Sequence, residues 1–229
     1  MYDTLTDIDR SVLAFFNGSS SLFMDNLVVT LTSGLTWIPL YLSLLYVVIK
    51  NNETMKQIML IIGCVFLCIV ISDGVADFVV KPLVARYRPS HEPLIKYAVD
   101  VVNGIRGTYY GFFSAHAANT CCIAVFFSLL IRNRTFVIGM AVWSLANCWT
   151  RMYLGLHYPS DILVGLLWGG FVGSLVYYIY IKAYLRIHPD FNYISSQYTS
   201  TGYNRIDTDI TLIVLTVTLL YAIIKALIF

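Results

Sequence analysis

The sequence predicts an all-α integral membrane protein: a bundle of about six transmembrane helices preceded by an amphipathic helix at the membrane interface. Three observations carry this. The 229 residues are 58% hydrophobic and only 12% charged, whereas soluble domains are about 45–50% apolar and about 25% charged. Mean hydropathy is +0.72. The apolar residues gather into runs of the length a bilayer core demands, about 20 residues per helix. The net charge of +2 is too small to suggest a nucleic-acid partner, so the lipid bilayer is the expected one.

In chain order, "MYDTLTDIDR" carries three acids and lacks the basic start and apolar core of a secretion signal, so no cleaved signal is expected. Residues 4–17, "TLTDIDRSVLAFFN", are amphipathic and predict the interfacial helix. Apolar runs follow at about 34–49, 57–80, 114–132, 135–153, 159–184 and 209–228. The first is short, and "SLFMDNLVVTLTSGL" ahead of it would either lengthen it or lie re-entrant. The polar segment 187–208 predicts a linker. It divides the chain into a membrane-embedded core, 1–186, and a tail, 187–229, that adds a C-terminal transmembrane helix. No internal repeat is evident. Cys64, Cys68, Cys121, Cys122 and Cys148 all sit inside apolar runs, without metal-ligand spacing, and read as small buried hydrophobes.

With six spans the loops alternate sides. One side carries Lys50, Lys56, Arg132, Arg134, Lys182, Arg186 and Arg205. Positive charge marks the cytoplasm, which sends the long loop 81–113 and the "GLHYPSD" turn to the periplasm or exterior, as in a bacterial inner membrane protein.

Three chemistry-bearing stretches fall on that outer side. In "KPLVARYRP", Lys81 and Arg88 are seven residues apart. If the stretch is helical, two turns bring them to one face. Two cations beside a bilayer form an anion site or act as snorkelling anchors for headgroups. In "FFSAHAAN", Ser114 is a good N-cap and His116 lies in the first helical turn. Free N–H groups and the positive dipole end make such a turn an anion pocket. A hydrogen-bonded interfacial histidine is the plainer reading of His116 alone. In "TRMYLGLHYPSD", Pro159 is placed to start a helix and puts Asp161 in its first turn, four residues after His157. A carboxylate so placed can fix the tautomer of His157 and make its other nitrogen a better base or nucleophile. Arg151 adds a bidentate donor for phosphate. The rival reading is a structural His157–Asp161 hydrogen bond and a headgroup anchor at Arg151.

Together these residues form a phosphoryl-transfer set. Cations and N–H groups neutralise the equatorial oxygens. One histidine attacks phosphorus and the other protonates the leaving oxygen. The cations stand in for a metal, so none is required.

At these residues the chain resembles the type 2 phosphatidic acid phosphatase family, whose core is shared with vanadium haloperoxidases. Lys81, Arg88 and Pro89 match its first motif. Ser114 and His116 match the second, with Phe113 and Ala115 replacing proline and glycine. Arg151, His157 and Asp161 match the third, with Thr150 for serine. The resemblance spans Lys81 to Asp161. It implies that His157 is the nucleophile, forming a phosphohistidine, that Asp161 orients it, and that His116 is the general acid. Lys81, Arg88, Ser114 and Arg151 would hold the phosphate, with no cofactor. Ala115 keeps its backbone N–H, so phosphate binding should survive unless the turn needs positive φ there.

The expected substrate is a membrane lipid phosphate or diphosphate: an isoprenyl (undecaprenyl) diphosphate, phosphatidylglycerophosphate, phosphatidic acid or a lipid A phosphate. The loop 90–113 is rich in Tyr and Phe, as interfacial segments are, and Lys96 and Arg106 there read chiefly as solvated charges. Asp73 and Asp77, one turn apart in the second span, suggest an ion path or, more simply, polar pairing near the site. His91 and His188 read as surface residues. A transporter explains the spans but not three phosphate motifs on one face. A haloperoxidase needs no membrane. A lipid-binding relative without catalysis rests on Ala115 alone.

Overall fold

The computed structural model describes residues 2–186 and 197–228. His188 and the first part of the expected linker lie outside them. The regular structure of the described residues is all helical, with two isolated β-bridges and no strand. Helix α1 (Tyr2–Phe16) is followed by α2 (Leu22–Thr32), a short 3-10 turn (Gly34–Trp37) and α3 (Ile38–Lys50). Helix α4 (Met55–Gly74) passes through a π-helical segment (Val75–Val80) into α5 (Lys81–Val84). A long irregular loop leads to α6 (Ala115–Ile131), α7 (Arg134–Tyr153), α8 (Pro159–Tyr184) and α9 (Arg205–Ile228).

Local chemistry sets the helix ends. Thr54 and Gln57 form a reciprocal capping box at the start of α4. The Asn133 side chain accepts from the Thr135 and Phe136 amides to open α7. Pro159 occupies the first turn of α8, where its missing N–H costs nothing.

Three described helices are long and apolar enough to cross a membrane: Met55–Val84, Pro159–Tyr184 and Arg205–Ile228. The pair Leu22–Thr32 and Gly34–Lys50, bent by 66°, makes a fourth if counted as one broken span. Helix α6 is apolar but shorter at 17 residues. Helix α7 carries Ser144, Asn147, Thr150 and Arg151 on its buried side.

The centre of the bundle is the α6–α8 pair. Gly165, Gly169 and Gly173 recur every fourth residue on α8 and face the α6 backbone. A methyl on Gly165 would stand 2.6 Å from the Ser114 carbonyl oxygen, and one on Gly173 2.7 Å from that of Cys122. One on Gly169 would run into the Ala118 carbonyl. Small residues at this spacing let helix backbones approach closely where lipid supplies no hydrophobic drive. Around this pair, Trp37, Leu40, Phe126, Phe136 and Trp143 fill the main core.

Helix α9 packs along α2, α3 and α7, with Leu215 and Ala222 in that core. Its buried Asp207 accepts from Tyr46 Oη and Asn51 Nδ2, each at 3.1 Å. The outward faces stay apolar: Phe66, Leu167 and Phe171 are all exposed, as on a surface that meets lipid tails. Four of the five cysteines are buried, and all five are free thiols.

Candidate active site

The first cationic stretch is not one helix. Helix α5 stops at Val84, and Ala85 turns left-handed at φ 47°. Residues 86–88 then run extended against 109–111. The Gly111 amide donates to Arg86 O and the Arg88 amide to Tyr109 O, both at 2.9 Å, with Tyr87 bridging Tyr110. The helical reading of Lys81 to Arg88 therefore holds only for Lys81–Val84. An extended chain alternates its side chains, so Arg86 and Arg88 share one face, and both turn toward the start of α8.

Against Arg88 lies His157, 2% exposed. Its Nε2 stands 2.8 Å from Arg88 Nη1, which also donates to Leu156 O at 3.0 Å. A guanidinium only donates, so Nε2 accepts and the ring proton is assigned to Nδ1. That nitrogen faces Asp161 Oδ2 at 3.6 Å. Burial, reinforced by the Arg88 charge and opposed by Asp161, pushes the His157 imidazole down to about 4. It is neutral at pH 7, with its Nε2 lone pair on the Arg88 side.

Asp161 is completely buried. Its Oδ2 accepts the Tyr158 amide at 3.0 Å, and its Oδ1 accepts Arg86 Nη1 at 2.7 Å. Its carbonyl accepts the Ser114 amide at 3.0 Å, tying the top of α8 to the top of α6. There the Ser114 Oγ caps α6 by accepting from the Ala117 amide. His116 is in the first turn beyond it, exposed at the surface of the chain, with Arg151, Lys81 and Arg88 as its cationic neighbours and His157 nearby.

Lys81 is paired with Asp77 one turn earlier, and Asp73 accepts from Asn119 Nδ2 at 2.9 Å. Both aspartates thus have polar partners beside the site. Arg151 is held by Thr32, whose hydroxyl and carbonyl it reaches through Nη2. Thr32 ends α2 just before the 66° bend, so the bend delivers a tether to the site. The Nε groups of Arg88 and Arg151 are buried without a protein acceptor, and both remain donors for a phosphate oxygen. All seven residues expected from the sequence therefore cluster at one end of the bundle. His91, by contrast, contacts Ser90 Oγ and stacks near Tyr109, with its amide donating to Arg88 O.

Sequence reading missed four contributors. Arg86 sits inside the quoted first stretch, but a helix would have pointed it elsewhere. Asp9 was absorbed into the amphipathic pattern of α1. Gly107 and Gly111 sit against Arg88: a methyl on Gly111 would lie 2.9 Å from Arg88 Cγ, 3.4 Å from Asp161 Oδ2 and 3.5 Å from His157 Nδ1. Gly111→Ala is therefore expected to displace Arg88 and cut kcat/KM about 100-fold, the cost of a misplacement of about 1 Å at a reacting centre. Steady-state phosphate release checks this; an unchanged kcat/KM would mean that the methyl is absorbed elsewhere.

Comparison with known proteins places this geometry. The model of the PAP2 superfamily matches residues 57–185, which include every site residue singled out from the sequence. The chain belongs to the PAP2 superfamily. Among its relatives, a lipid A 4'-phosphatase of Bacteroides thetaiotaomicron is 40% identical, over 83% of this chain and 84% of its own. A lipid A 4'-phosphatase of Porphyromonas gingivalis is 31% identical, over 80% and 77%. A lipid A 1-phosphatase of Rhizobium etli is 28% identical, over 63% of both chains. No solved structure matches the chain. As a PAP2 superfamily member the protein is a lipid phosphomonoesterase with membrane-length helices.

Proposed function

We propose that this lipid phosphatase removes the 4'-phosphate of a lipid A-type glycolipid by way of a phosphohistidine on His157. The observation that carries the chemistry is the Arg88–His157 contact: a donor-only guanidinium 2.8 Å from Nε2 leaves the lone pair on the nitrogen that faces the cations. The substrate choice is supported by the two lipid A 4'-phosphatases, similar to this chain over 83% and 80% of its length.

An entering phosphate separates Arg88 from His157 and takes donors from Arg88, Arg151, Lys81 and the first turn of α6. His157 Nε2 then attacks phosphorus. The bond from phosphorus to the sugar oxygen breaks, its electron pair leaves on that oxygen, and His116 supplies the proton. Asp161 faces the Nδ1–H of the imidazolium that forms. Water, deprotonated by His116, then attacks the phosphohistidine, releasing phosphate and neutral His157. His116 stands among cationic neighbours, and the substrate dianion supplies the counter-charge for its protonated form.

A six-span topology, supported by the cations gathered on the opposite loops, puts the site at the outer, periplasmic face of a bacterial inner membrane. There a lipid keeps its tails in the bilayer and presents its phosphate, and α1 lies at the interface. Residues 1–186 hold every catalytic group; 187–229 add a linker and α9.

The test is mass spectrometry of bisphosphorylated lipid A after incubation with the purified protein. Loss of the 4'-phosphate supports the reading, and loss of the 1-phosphate instead would overturn the assigned position. The pH profile is a separate check. Protonation removes the nucleophile, so kcat/KM should lose its His157-dependent activity only as pH falls through about 4. An acid limb at the ordinary histidine value of about 6.5 would contradict a buried, neutral nucleophile.

A further inference from the structure

Helix α1 sends one buried carboxylate into the site. Asp9 is 5% exposed, and each of its oxygens is used. Oδ2 accepts Arg86 Nη2 at 2.6 Å and also the Ser160 hydroxyl, while Oδ1 accepts the Ser160 amide at 3.0 Å. Arg86 continues the chain. Its Nη1 donates at 2.7 Å to both Asp161 Oδ1 and Ser160 Oγ, and its guanidinium lies over the Tyr158 ring at 4.3 Å. A line of alternating charge thus runs from Asp9 through Arg86 to Asp161 and ends at His157.

We infer that Asp9 and Arg86 are positioning residues that set how much of the Asp161 charge reaches His157. The inference rests on His157 being the nucleophile. Arg86 claims one oxygen of Asp161; the other accepts the Tyr158 amide at 3.0 Å and faces the imidazole at 3.6 Å. Asp9 in turn neutralises Arg86, so that Arg86 does not draw the Asp161 charge wholly to itself. Both positions lie outside the groups that touch phosphate, and the Asp9 pairing crosses 77 residues of chain.

The other ionisable groups around this line are Arg88, Lys81 and its partner Asp77 on the loop side, His116 on α6, Tyr158 beside Asp161, and Arg10 and Glu92 near Tyr158. Arg151 faces Arg88 from α7. None of these is a second carboxylate against Arg86, so Asp9 has no substitute in its role.

The sign of each effect is opposite. Removing the Arg86 charge frees Asp161 to stabilise the His157 imidazolium, which moves the acid limb of kcat/KM to higher pH. Removing the Asp9 charge leaves Arg86 uncompensated against Asp161 and weakens the support of the imidazolium that forms during attack. That lowers kcat and leaves KM nearly unchanged.

The experiment uses the full chain in detergent with lipid A as substrate. Asp9→Asn should lower kcat by about 10-fold or more, the usual cost of losing a partner behind a functional histidine. Asp9→Glu should restore most of that loss. Arg86→Gln should raise the acid limb above its wild-type position. In the Arg86→Gln background, Asp9→Asn should have little further effect, because its target is gone. Arg86→Gln by itself tests the idea if Asp9→Asn disrupts docking of α1. A wild-type kcat in Asp9→Asn, or an acid limb in Arg86→Gln that stays put or moves down, would overturn the inference. A His157→Ala control that retains activity would instead overturn the nucleophile assignment beneath it.

Discussion

His157→Ala is expected to release no phosphate from lipid A above background, with the wild-type rate unaffected by EDTA. The first part follows from the proposed covalent route: without Nε2 no phosphohistidine would form, and loss of a nucleophile costs on the order of 10⁴–10⁶-fold. The second follows from where the positive charge comes from. Arg88, Arg151 and Lys81 converge on one end of the bundle, and two of them keep a buried Nε without a protein acceptor. Protein cations of this kind neutralise a developing phosphorane without a metal. Rapid quench with radiolabelled lipid should trap acid-labile phosphate on the wild-type chain only. Label retained by the alanine variant would move the nucleophile to another residue, and inhibition by EDTA would assign the charge stabilisation to a metal.

Gly169→Val should be the most damaging single change far from the chemistry. Any side chain there meets the Ala118 backbone carbonyl, which cannot turn aside as a flexible side chain does. Overpacking of this kind costs about 1–3 kcal/mol, and a rigid backbone contact belongs at the upper end. The expected result is a lowered thermal midpoint in detergent together with a loss of activity. The α6–α8 contact also carries the site, since the Ser114 amide bonds to the Asp161 carbonyl at its upper end. The adjacent Gly170→Val is the control, because a methyl at Gly170 meets nothing within 4 Å. Equal damage from both would show that helix propensity, rather than the α6–α8 contact, is at work.

Much of this was legible in the residues themselves. The apolar runs marked the helices because hydrophobic length is a local property. Lys81, Arg88, Ser114, His116, Arg151, His157 and Asp161 could be singled out as a candidate site because their spacing is local within each stretch. What escaped depends on pairings made elsewhere. The extended path of Arg86–Arg88 is imposed by 109–111, and an alanine at φ 47° carries no sequence mark, since left-handed turns ordinarily fall to glycine. Asp9 looks like any acid on the polar side of an amphipathic helix until Arg86 and Ser160 are brought beside it. The α8 glycines are different. Their every-fourth spacing is visible in the sequence and would have predicted the α6–α8 contact. The sequence left open whether the stretch ahead of the first span lengthens it or lies re-entrant; the 66° bend after Thr32 and its use, a tether for Arg151, needed the fold.

The short pairing of 86–88 with 109–111 also works as a clasp on the long loop. Beyond it the loop is fastened at Asp100, which exchanges hydrogen bonds with Asn17, and at Val102, which is buried against Val28 and Leu154. The tip at 92–98 lies outside these fastenings, with Leu94 78% and Tyr97 91% exposed. The catalytic register and the outermost surface are therefore mechanically separate. The tip can change length or composition while the clasp keeps Arg88 on His157, which leaves the outer surface of this PAP2 scaffold free to vary without rebuilding the candidate site.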